Sequence, residues 1–183
     1  MELPQELLEL YRSQIEDLQQ QLTLDNSLES SWNDLGVQYK AIGDYEGARE
    51  VWTYTNNISP LNNVSFFNLG DLYHFYLKDF AKAEENFLKS KENDEQYIPV
   101  YRALYDLYSL SYKQETSAAE DILKEGLEKN PDNLDLLVLL AAHYKKEGRT
   151  DDARSAYEDA LAEAKKLENQ SMIDLLQEEL DNL

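Results

Sequence analysis

Cysteine is absent from the 183 residues, which excludes disulfide bridges, a thiolate nucleophile and zinc held by cysteine. Histidine is almost absent: His74 and His143 stand apart, neither in an H-E-x-x-H arrangement nor beside a ligand-spaced carboxylate pair, so no metal site is expected. The six glycines make neither a phosphate loop nor a dinucleotide fingerprint, and no cofactor is expected. Positive charge is scarce, with 17 Lys and Arg against 37 Asp and Glu and a net charge of −20. That balance excludes nucleic acid, whose phosphates need a basic patch, and excludes direct contact with an anionic membrane. Long apolar runs are missing as well. The longest, residues 136–142, falls far short of the roughly 20 needed to cross a bilayer. Residues 1–10 are acidic and lack the basic start and apolar stretch of a signal peptide, so a cytoplasmic location is expected. The alternative is an extracytoplasmic soluble part of a membrane-anchored protein, with its anchor upstream of residue 1.

What the chain does have is enough apolar residues, 42%, to build a core, and a repeat. Trp32 is followed by Leu35, Gly36, Tyr39, Ala48, Trp52 and Pro60. A shift of 34 residues places Phe66, Leu69, Gly70 and Tyr73 in the same slots, and one extra residue then aligns Ala83 and Phe87. A third copy runs Tyr101, Leu104, Tyr105 and Tyr108, then, after two inserted residues, Ala119, Leu123 and Pro131. The fourth reads Leu137, Leu140, Ala141, Tyr144, Gly148, Ala153, Tyr157 and Ala160 without insertion.

Within a copy, Trp32, Leu35 and Tyr39 recur at helical spacing, Gly43-Asp44 breaks the helix, and Ala48, Trp52 and Thr55 mark a second one. Gly36 and Ala48 are small where the two helices must cross closely, and the aromatics fill the gaps on either side. Pro60 ends the second helix. Ala141, Ala153 and Gly148 repeat this logic in the fourth copy. In the third, Tyr105 stands where a small residue is expected, which implies a splayed pair, and Ser117 with Glu120 reads as a capping box. The insertions fall around residues 75–79 and 110–115, where a longer first helix or a widened turn would absorb them.

This pattern resembles the tetratricopeptide repeat family over residues 29–166. The resemblance implies an all-α solenoid, a right-handed superhelix of antiparallel helix pairs with ten helices. A single domain over 1–183 is expected: repeats at 29–62, 63–97, 98–133 and 134–167, a capping helix at 3–24 and another at 169–182. The N-terminal cap carries the stripe Leu7, Leu8, Tyr11, Ile15, Leu18 and Leu22 behind Pro4; the C-terminal one carries Met172, Ile173, Leu176 and Leu180.

The family's inner face is lined by the first helix of each repeat. Transferred to this frame, the groove is Asn33, Val37 and Lys40; then Phe67, Asp71, His74 and Phe75; then Arg102, Asp106 and Ser109; then Val138, Ala142 and Lys145. His74 is expected on the exposed side of its helix. Phe67 and Phe75 either anchor a ligand or pack on a neighbouring repeat, and the sequence leaves both open. Some relatives clamp a chaperone's terminal carboxylate with Lys, Asn, Asn, Lys and Arg. The matching slots here hold Asn33, Val37, Asn68, Pro99 and Ala103, or in the next frame Phe67, Asp71, Ala103, Asp135 and Leu139. Only Asn68 agrees, so that ligand is not expected.

The expected function is a non-enzymatic scaffold that binds a basic or neutral partner peptide or helix in the groove, the chain itself being a monomer. The alternative is a self-associating assembly module, a homodimer through its end helices.

Overall fold

The structure is a computed structural model that describes residues 3–112 and 116–183. Among these it is all-α: α1 (Gln5–Leu24), α2 (Glu29–Ala41), α3 (Tyr45–Ile58), α4 (Asn63–Leu72), α5 (Phe80–Asn93), α6 (Ile98–Asp106), α7 (Thr116–Lys129), α8 (Leu134–Lys146), α9 (Thr150–Lys166) and α10 (Gln170–Asp181). The chain divides into two compact units, residues 1–94 and 95–183.

In unit 1, α2 pairs with α3 and α4 with α5. The first pair closes on Trp52, which is wholly buried and whose indole N–H donates to the Asn33 carbonyl at 3.3 Å. A Cβ at Gly36 would collide with the Trp52 ring, and one at Gly70 would lie 2.5 Å from Phe87, so both glycines are demanded by an aromatic of the facing helix. Asp44, Asn62 and Asp79 accept from the backbone N–H three residues on and start α3, α4 and α5. Gly43 ends α2 in the left-handed region at φ 82°, where a side chain would be strained. Helix α1 begins one residue after Pro4 and lays Ile15, Leu18 and Leu22 against Leu35, Trp32 and Tyr39.

In unit 2, α8 and α9 cross through Ala141 and Ala153, both fully buried, and Gly148 makes the break at φ 72°. Tyr105 is half-buried, its ring edge-on to that of His143 at 5.8 Å. Gly126 on α7 faces Tyr101 and Leu136, with the nearest atoms 2.9 Å from where its Cβ would lie. The column that holds Gly126 also holds Thr55, Ser90 and Ala160, all small and buried in their own units. Leu176 of α10 is fully buried and closes this unit.

The one-residue insertion is absorbed inside the first helix of its pair as a π-turn, Tyr73–Leu77 after α4, and one residue of the two-residue insertion likewise, Leu107–Ser111 after α6. The Lys78 N–H bonds back to the Tyr73 carbonyl, and that of Tyr112 to Leu107 at 2.7 Å. An i to i+5 bond takes up one extra residue without ending the helix, so neither a lengthened α-helix nor a loop is needed. The rest of the second insertion, residues 113–115, lies outside the described residues. The expected capping box at Ser117 is not formed as such: α7 already begins at Thr116, so Ser117 lies inside the helix.

Candidate functional site

The exposed face of each unit's first helices is the surface the sequence frame selects. In unit 1, α2 and α4 are braced by Lys40, whose ammonium lies 2.9 Å from the Asp71 carboxylate. The same ammonium sits 5.7 Å from the centre of the Tyr76 ring and 5.9 Å from that of Trp52. Val37 is exposed on α2, and Phe75 is exposed at the π-turn.

Two residues expected in this lining are instead interior. His74 is 2% exposed, its ring edge-on to Phe80 at 5.9 Å and to Phe87 at 6.4 Å, because the widened turn carries it inward. Asn33 is buried and donates to the Asn62 side chain at 3.3 Å, so it joins α2 to the start of α4. Phe67 is half-buried with its ring 5.7 Å from Phe87, which makes it mainly a packing residue. Asn62 accepts from the Ser65 N–H while donating to Glu29, a junction the sequence reading missed. The Asn at the start of α4 was its available signal.

In unit 2, Arg102 and Ala142 are exposed, while Asp106, Ser109, Val138 and Lys145 are half-buried. Lys145 pairs with Glu179 of α10 at 2.8 Å and holds that carboxyl below its ordinary range; the Tyr157 hydroxyl also donates to it. Burial first, then this carboxylate, pushes the Tyr157 hydroxyl up to about 12. Glu120 takes Lys124 at 2.6 Å and Arg149 at 2.7 Å, and the Tyr144 hydroxyl donates to it at 3.2 Å. Lys124 is the main cause of its lowered pKa. These ties join α7, α8 and α10 to their neighbours, so most charge here is structural.

His143, like His74, is interior rather than solvated: it is 2% exposed and edge-on to Tyr105 at 5.8 Å. Among the described residues neither ring nitrogen has a hydrogen-bond partner. Burial is the main cause of its lowered pKa; Glu147 and Glu120 pull it up, and Lys146 and Arg149 push it down. The unfolded chain therefore takes a proton near pH 6.5 that the folded one refuses, and stability falls as pH drops from there toward the lower folded value. Urea denaturation at a series of pH values is expected to show this slope, and His143→Leu should flatten it. An unchanged slope would contradict the burial of a neutral imidazole.

Among the described residues no group of three His, Asp or Glu is placed to hold a metal ion. No helix among them is long and apolar enough to cross a membrane.

A family model described as "Tetratricopeptide repeat" matches residues 113–176. Among solved structures, the fold is similar to that of MamA, at TM-score 0.69 and 17% identity over 85% of this chain and 89% of that one. It is similar to TTC0263, a thermophilic TPR protein of Thermus thermophilus, at TM-score 0.63 and 19% identity over 93% and 92%. PilF of Pseudomonas aeruginosa matches at TM-score 0.64 and 19% identity over 94% and 86%. No curated protein matches the sequence. Residues 113–176 thus match a tetratricopeptide repeat model, and the described residues share the all-α helix-pair fold of these solved structures.

Proposed function

We propose that the chain is a non-enzymatic scaffold that holds a peptide or helix of a partner protein in the groove lined by the exposed side of its first helices. In unit 1 this face is Val37, Lys40, Asp71 and Phe75; in unit 2 it is Arg102, Asp106, Ser109, Val138, Ala142 and Lys145. The observation that carries the reading is the combination on α2 and α4 of exposed apolar side chains with a buttress that fixes their spacing. Phe75 and Val37 are 51% and 39% exposed, and the Lys40–Asp71 pair ties the two helices at 2.9 Å. A pre-set surface with large apolar side chains left in water suits docking of a peptide or helix. The enzyme reading has no comparable support: the lowered pKa values of Glu120, Glu179 and Asp79 come from ion pairs and capping bonds.

The test is capture from native lysate with three baits: wild type, Val37→Arg on α2, and Glu158→Arg on the exposed side of α9. A protein held by wild type and Glu158→Arg but lost by Val37→Arg supports the proposal. Capture unaffected by Val37→Arg, or of the chain alone, contradicts it and favours a self-associating module.

A further inference from the structure

The π-turn of unit 1 does something that helix packing alone does not require. It leaves two adjacent aromatics in solvent, Phe75 at 51% and Tyr76 at 43%. Tyr76 lies against Tyr45 at the start of α3, with ring centres 4.6 Å apart. Phe75 stacks on buried His74 at 4.1 Å, so its position is fixed from below. In the copies that lack a π-turn, the slot of Phe75 holds Ala41 or Lys146, and the fold forms with either. The aromatic pair is thus added to the repeat rather than part of its core.

The charge around these rings indicates what they accept. One face of the Tyr76 ring is already taken by the Lys40 ammonium, 5.7 Å from its centre, so a ligand cation is directed to the neighbouring carboxylates instead. Around the cluster, Asp34 on α2 and Asp44 before α3 are exposed, in a chain of net charge −20. An acidic segment is repelled from such a surface, and so is a second copy of this chain.

We infer that Tyr45, Phe75 and Tyr76 form the docking surface for a partner segment in which apolar side chains alternate with Lys or Arg at helical spacing. The apolar groups lie on Phe75 and Val37, and the cations lie toward Asp34 and Asp44. The inference rests on the scaffold reading above and specifies the chemistry of its ligand.

The experiment uses a synthetic Leu and Lys peptide of roughly five helical turns with helical amphipathic spacing, and its counterpart with Glu in place of Lys. Binding to the full chain is followed by fluorescence anisotropy at low and raised salt. The Lys peptide is expected to bind, and to bind more weakly as salt rises. Phe75→Ser and Tyr76→Ser, which change no charge, are each expected to lower its affinity about tenfold, while Leu61→Ser, at an apolar position 81% exposed elsewhere in unit 1, leaves it unchanged. Circular dichroism confirms that each variant is folded. Equal affinity in all three variants would mean that the peptide is held by diffuse charge, and would overturn the inference, as would tighter binding of the Glu peptide or no binding of the Lys peptide. None of these results touches the lysate capture. Loss of that capture's dependence on Val37 overturns the scaffold reading by itself.

Discussion

Trp52→Ala is expected to lower the stability of the chain by about 3–5 kcal/mol, a large part of what a domain of ordinary stability possesses. The side chain is completely buried at the crossing of α2 and α3, and its indole N–H is satisfied by the Asn33 carbonyl at 3.3 Å. Truncation removes the largest buried ring of unit 1 and opens a cavity that the flanking helices cannot close. Lys40 also loses one of the two rings over which its ammonium rests. Urea denaturation followed by circular dichroism measures the loss. A change under about 1 kcal/mol would mean that the ring is not where the packing requires it.

Gly36→Leu is the second large effect, at about 3 kcal/mol. A β-carbon at Gly36 would overlap the Trp52 ring, which is boxed in on every side and cannot swing away. The better helix propensity of leucine offsets only about 1 kcal/mol of this. The two substitutions should therefore be coupled. In the Trp52→Ala background the vacated space receives the leucine, and the double variant is expected to be more stable than the sum of the single losses by about 1–3 kcal/mol. Strict additivity would show that Gly36 and Trp52 do not meet.

The legibility of the helix pairs had a simple cause. Trp32, Leu35, Gly36 and Tyr39 obey a helical period, and their copies recur after 34, 35 and 36 residues, so both the faces and the small crossing residues could be named from the sequence. An insertion carries no period. The single extra residue near Tyr73 could enter a loop, a longer helix or a π-turn, and only packing of His74 onto Phe80 and Phe87 decides among them. For the same reason the sequence could not tell that, of the residues expected in the lining, Val37 and Phe75 are exposed while Asn33 and His74 are buried. Phe67 and Phe75 are the same residue type eight positions apart, and the sequence had no means of telling that one packs on Phe87 while the other faces water. The Ser117 cap failed because a Ser followed three residues later by Glu also occurs inside helices; the helix start at Thr116 decides. The Lys40–Asp71 brace joins residues from different helices of different copies, beyond the reach of any local spacing rule.

The most direct test of the account is amide hydrogen exchange of the full chain with and without the captured partner. The account predicts added protection along α2 and at the end of α4 with its π-turn, around Val37 and Phe75–Tyr76. Protection confined to α1 or α10 would contradict it, and would place the interaction on the end helices instead.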